Sequence, residues 1–182
     1  MPRGVLRRLN DFASDQLGYF TTEQARSVGA SNQSLHSFVR TGAIERVSRG
    51  VYRVTVLPTS ALGPYLAAAL WPRGGGVLSH ETALELQQLS DANPASIHIT
   101  VPRRFRTHRP LPPSYVLHRA DLRPDDISRV EGVPVTKPAR AIRDCFAEHL
   151  GIEILLEAVS DGFMRGYLTR QEAAELRNLV AP

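Results

Sequence analysis

Thiols are almost missing from this chain, with Cys145 the single cysteine among 182 residues. One cysteine excludes an intrachain disulfide and any multi-thiolate zinc site. It lies in "ARAIRDCFAEHL", where a helical period sets it near Ile142 and Phe146, and it reads as a buried structural thiol rather than a nucleophile. Long apolar runs are missing too. The longest, "YLAAALW" at Tyr65 to Trp71, falls far short of the roughly 20 residues that span a bilayer. No apolar segment follows the arginines of "MPRGVLRRLN", so no secretory signal is read, and the expected location is cytoplasmic with no membrane partner. Lysine is just as scarce. Lys137 is the only one, which makes nearly every positive charge a planar, forked guanidinium suited to phosphate or guanine.

Catalytic patterns are absent as well. "RGGG" at Arg73 to Gly76 lacks the lysine and Ser/Thr of a phosphate-cradling loop and reads as a turn between helices. The six histidines include no H-x-H and no i, i+4 pair enclosing a glutamate. His80 and Glu81 are adjacent, on different sides of a helix, and His98 and His118 read as strand-face residues rather than ligands. Asp125 and Asp126 follow Pro124 and read as turn-capping residues. No serine sits in a G-x-S-x-G elbow. The expectation is therefore a protein that is not an enzyme, with no cofactor, no metal and no catalytic residue.

What is present is an ordinary soluble composition, 42% hydrophobic and 22% charged, long enough for one large domain or two small ones. Charge is uneven along it. Residues 1 to 56 hold eight arginines against four acids, residues 57 to 150 eleven basic residues against nine acids, and residues 151 to 182 three against five. Within the basic end, Leu6, Leu9, Phe12, Ala13 and Leu17 recur at helical spacing up to Gly18. Thr21 and Gln24 form a capping box before a second helix over about Thr22 to Val28, with Tyr19 or Phe20 as its hydrophobic staple. Gly29 stops that helix. Ser31 caps a third, "NQSLHSFVRTG", which ends at Gly42. Counted from Thr21, Ala25 is fifth, Gly29 ninth, Leu35 fifteenth and Phe38 eighteenth. That is helix-turn-helix spacing, with a small residue at the crossing, glycine at the turn and apolar residues seating the second helix. "AIERVSRGVYRV" then alternates Ile44, Val47, Val51 and Val54 around Ser48-Arg49-Gly50, which predicts a hairpin. Behind a recognition helix such a hairpin is a wing, with Arg46, Arg49 and Arg53 projecting toward phosphate or the minor groove. A solvated charged face is the other reading of those arginines.

Pro58, Gly63 and Pro64 in "LPTSALGPY" mark a boundary. Beyond it come a helix in "YLAAALWP", another in "SHETALELQQL" capped by Ser79, strands in "ASIHITVP" and "SYVLHRA", "ISRVEGVPVT" with a turn at Glu131-Gly132, and three helical stretches from Pro138 on. Thr169 and Glu172 form a second capping box. In "VPRRFRTHRP", Arg103, Arg104, Arg106 and Arg109 surround Phe105. This is a candidate secondary contact for nucleic acid or for an acidic partner, or a solvated loop.

The order of "FTTEQARSVGASNQSLHSFVRTGAIERVSRGVYRV", "VLSHETALEL", "IHITVPRRFR" and "GVPVTKPARAIRDC" resembles the AbiEi family of antitoxins of bacterial toxin-antitoxin operons, over about Phe20 to Phe146. "SRGVY", "LSHETAL" and "VTKPARAIRD" carry most of the likeness. The resemblance implies an α+β protein, with a winged helix-turn-helix over residues 1–56 and a mixed α/β antitoxin domain over 57–182. It implies operator-binding autorepression at inverted repeats and neutralisation, directly or functionally, of a nucleotidyltransferase-like toxin. The DNA-binding residues it implies are Asn32, Gln33, Ser34, His36, Ser37 and Arg40 on the recognition helix, and Arg46, Ser48 and Arg49 on the wing. A homodimer on DNA stays open. Two other readings stand beside it: a winged-helix adaptor that contacts only proteins, and a nuclease-associated fragment, which the missing acid-and-lysine cluster disfavours.

Overall fold

Helix α1 (Pro2–Ser14) turns one apolar stripe inward, burying Leu9 and Ala13 fully while Val5, Leu6 and Phe12 pack partly against the same core. It ends before the expected Gly18, because Leu17 takes a left-handed φ of 51° and the Gly18 amide closes back onto the Ala13 carbonyl at 2.8 Å. This is the computed structural model of the chain, which describes residues 2–91 and 93–181.

Strand β1 (Tyr19–Thr21) follows at once, where Tyr19 and Phe20 were expected only as a staple. Thr21 then caps α2 (Thr22–Ser27) through the expected box: the Gln24 amide donates to Thr21 Oγ1 at 3.1 Å, and the Thr21 amide donates to Gln24 Oε1 at 2.8 Å. Gly29, at φ 90°, makes the turn in a conformation that costs other residues most. Helix α3 (Asn32–Arg40) starts at Ser31, whose Oγ accepts from the Ser34 amide at 3.1 Å. Strands β2 (Ile44–Ser48) and β3 (Val51–Val54) form the hairpin and join β1 in a three-stranded antiparallel sheet of order β1-β3-β2. Its register shifts between Arg46 and Ser48, so Val47, expected on the buried alternation, is 43% exposed at the irregularity. Phe20, Ala25, Leu35, Phe38, Ile44 and Val54 close the core of this unit. At about 1.5–3 kcal/mol for each large side chain, that burial is what holds three short helices together.

Helix α4 (Gly63–Leu70) packs on β1. A Cβ on Gly63 would lie 2.9 Å from Cε2 and Cζ of Tyr19, so only glycine lets the helix approach this closely. The compact units divide at Gly76–Val77, so α4 and residues 57–76 lie in the first unit. The proline-rich stretch is a connection inside that unit.

The second unit is built on a five-stranded mixed sheet of order β6-β5-β4-β8-β7. Its strands are β4 (Val77–Leu78), β5 (Ile97–Val101), β6 (Tyr115–Arg119), β7 (Ile127–Val130) and β8 (Val133–Thr136). Strands β5 and β6 are parallel, as are β4 and β8, while β4–β5 and β7–β8 are antiparallel. Helix α5 (His80–Leu86) packs on β5 and on α6 (Pro138–Ala147), and α6 packs on α7 (Ile152–Met164) and α8 (Arg170–Val180). Ile99, Val133, Val135, Ile142, Leu155 and Leu176 are fully buried between these layers. The Thr169–Glu172 capping box forms as expected. Ser79 does not cap α5: its hydroxyl accepts from Thr100 Oγ1 at 2.8 Å and meets His80 Nδ1 at 2.9 Å instead.

Candidate nucleic-acid interface

Leu35 and Phe38 anchor one face of α3 in the core, and the helical period then turns Asn32, Gln33, His36 and Arg40 outward, all exposed. No acidic residue lies in the first turn of α3, so nothing there repels an approaching phosphate. Asn32 is positioned by a residue that the sequence did not single out: Arg26, exposed on α2, donates from Nη2 to Asn32 Oδ1 at 3.1 Å. Ser34 and Ser37 are only half-exposed, and the Ser34 hydroxyl lies 3.0 Å from Ser31 Oγ inside the cap. Arg8 ties α1 to the end of α2, its Nε donating to the Val28 carbonyl at 3.0 Å.

On the hairpin, Arg46 and Arg49 are exposed. Two of the expected wing residues are not. Arg53 is 8% exposed, and its guanidinium donates to Glu45 Oε1 at 2.5 Å and to the Leu57 carbonyl at 2.9 Å. It lies on the central strand of its sheet, paired across to Tyr19 and Glu45, where a side chain must find partners inside the protein. Ser48 lies at the register shift with its Oγ enclosed and without a hydrogen-bond partner among the described residues. Arg53 is thus turned into the protein, and Ser48 is half-buried with its hydroxyl turned inward.

The second arginine cluster lies in the other unit. Arg103, Arg104 and Arg106 are exposed on the loop after β5, Arg109 is half-buried, and Phe105 is half-buried. Arg106 donates from Nη1 to the carbonyls of Arg103 and Phe105, at 2.7 and 2.9 Å, and the Arg103 amide donates to Asp121. Part of this charge therefore stiffens its own loop.

Residues expected to be unremarkable converge in the same unit. His98 Nδ1 and His118 Nε2 lie 3.0 Å apart, and the rings of His80 and His118 stack with centroids 3.6 Å apart. Strand pairing explains the first contact: β5 and β6 are parallel with His98 opposite Val116 and His118 opposite Thr100, so both histidines share a sheet face. His80 enters from the start of α5 at φ 54°, an uncommon backbone conformation for a side chain of this size. Burial, together with the nearby His118, His98 and Arg140, lowers the His80 pKa to about 3. Burial also lowers His98 against the pull of Glu81 and Glu148, and lowers His118 against that of Glu148. All three are thus neutral at pH 7, and the His118 Nδ1–Glu148 contact at 3.6 Å is that of a neutral ring with a carboxylate. Cys145 is buried as expected, and burial first, with nearby acidic groups, pushes its thiol pKa up.

The molecule is thus a mixed α+β protein whose N-terminal unit presents a polar helix face and an arginine-bearing hairpin. Residues 7–55 match the family described as the transcriptional regulator, AbiEi antitoxin, so this segment is similar to that family. The match ends well before Phe146, where the sequence resemblance was expected to run. No curated relative matches the chain. Among solved structures, the RV2827C protein from Mycobacterium tuberculosis is similar, with a TM-score of 0.54 and 16% identity over 100% of this chain and 78% of that one. At that identity the likeness is one of fold. Among the described residues no helix is long and apolar enough to cross a membrane.

Proposed function

We propose that the N-terminal unit is a winged helix that binds operator DNA, and that the chain represses its own operon as the antitoxin of a toxin-antitoxin pair. The observation that carries the reading is the division of α3 into a buried face, Leu35 and Phe38, and an exposed face of Asn32, Gln33, His36 and Arg40, followed directly by a hairpin with Arg46 and Arg49 exposed. In such a unit α3 lies in the major groove, where amide side chains read base edges, while hairpin arginines meet phosphate or minor groove. Arg26 serves as a positioning residue for Asn32. The second unit supplies neutralisation of a nucleotidyltransferase-like toxin, directly or through a shared target.

The full chain should bind DNA from upstream of its own reading frame with steep salt dependence. Arg46→Ala combined with Arg49→Ala should derepress a reporter fused to that promoter and still rescue cells from the co-expressed neighbouring toxin. A double variant that remains folded by circular dichroism but loses both activities would show that repression and rescue are one function, and the modular reading would fall.

A further inference from the structure

We propose that His80, His98 and His118 form a three-imidazole site for zinc(II) in the C-terminal unit. Their ligand nitrogens all lie within 4.8 Å of one another, and those of His98 and His118 already stand 3.0 Å apart. At zinc–nitrogen bonds of 2.0–2.1 Å, tetrahedral ligands sit about 3.3 Å apart. Binding would turn the three lone pairs onto one ion by rotating the rings and unstacking His80 from His118. Each neutral ring offers one donor and one acceptor, so one proton can lie between His98 Nδ1 and His118 Nε2, and an ion would take its place.

The surroundings supply what imidazole ligands need from behind. Metal-bound histidines hand their other N–H to an oxygen that fixes the tautomer. Ser79 Oγ holds His80 Nδ1 at 2.9 Å and is itself held by Thr100 Oγ1 at 2.8 Å, while Glu148 faces Nδ1 of His118 at 3.6 Å. Neutral rings are the form that binds a cation. Arg119 and Arg140 are the positive groups of the lining. The Arg140 charge is met by Asp144 at 2.8 Å and Asp126 at 3.4 Å. A cavity of about 370 Å³ opens beside the cluster, lined by His80, Thr100, His118, Arg140, Asp144 and Glu148 among others. Three protein ligands would leave a fourth position for water or a small anion on the ion. The left-handed backbone at His80 fits the same reading, because strain of this kind is kept where a side chain must be aimed. This site does not depend on the DNA-binding reading, since it lies wholly in the other unit.

The test uses the tag-free full chain, stripped with chelator and titrated with zinc(II) by calorimetry and with cobalt(II) by visible absorbance. One equivalent should bind, cobalt should develop ligand-field bands without thiolate charge transfer, and zinc should raise the melting temperature in proportion to the logarithm of its concentration. His98→Gln combined with His118→Gln should abolish all three responses with the far-UV spectrum unchanged, while His108→Gln combined with His149→Gln should leave them intact. Glu148→Gln should weaken zinc about 10–100-fold. A folded native chain that takes up no stoichiometric zinc would overturn the proposal without recourse to any variant. So would a His98/His118 double variant that binds as tightly as the native chain.

Discussion

Replacing Arg46 and Arg49 together by alanine should flatten the salt dependence of operator binding by an amount that can be worked out beforehand. Both side chains are exposed on the hairpin, and each phosphate neutralised in duplex DNA contributes about −0.9 to the slope of log K against log salt. Two lost contacts therefore change the slope by about 1.8, and between 50 and 200 mM salt the native chain should lose roughly 12-fold more affinity than the double variant. Arg53 provides the internal control. Its guanidinium is committed to Glu45 and the Leu57 carbonyl and is 8% exposed, so Arg53→Met should leave the slope alone and instead cost about 1–3 kcal/mol of stability, as expected for a buried partner removed. Fluorescence anisotropy on an upstream DNA fragment across a salt series reads the first effect, and urea unfolding reads the second. The reasoning is refuted if Arg53→Met shifts the slope as much as the double variant does, or if the double variant keeps the native slope.

Three further outcomes follow from named contacts. Gln33→Ala should relax discrimination at one base pair by roughly 1–3 kcal/mol while leaving the salt slope unchanged, which anisotropy against single-base operator variants would check. Gly63→Ala should cost about 1–3 kcal/mol through overlap with the Tyr19 ring, and Tyr19→Ala in the same chain should remove that overlap, so that a double-mutant cycle in urea reports favourable coupling. The Asp126 carboxyl is held below its ordinary pKa by the Arg123 hydrogen bond first, with Arg140 adding to it. Because the folded value is the lower one, this stabilisation is present above the unfolded carboxylate pKa near 3.8 and is lost as pH falls through the folded one. The stability gap between native chain and Asp126→Asn, measured by urea unfolding, should therefore be full at pH 7 and shrink steadily below about pH 4.

Local chemistry was legible in the residues alone. The Thr21–Gln24 and Thr169–Glu172 boxes, the Ser31 cap, the glycine turn at Gly29 and the hairpin after α3 each depend on a few neighbours in sequence, and each forms as read. The burial of Leu35 and Phe38, and with it the exposure of Gln33 and Arg40, followed from helical period for the same reason. What tertiary structure decided is where strands pair and what that pairing brings together. Strands β1 and β4 are three and two residues long, too short to carry a period; β1 adds to the edge of its sheet beside β3, and β4 is held at the centre of the other between β5 and β8. Arg53 reads like Arg46 and Arg49 in sequence, but the central position of β3 buries it between partners. Ser79 caps nothing because Thr100 and His80 reach it first. His80, His98 and His118 lie far apart in the chain and form no motif; a parallel β5–β6 register and a left-handed residue at the start of α5 set them ring to ring. Pairing across such distances is settled by loop closure and the global core, and no local spacing encodes it.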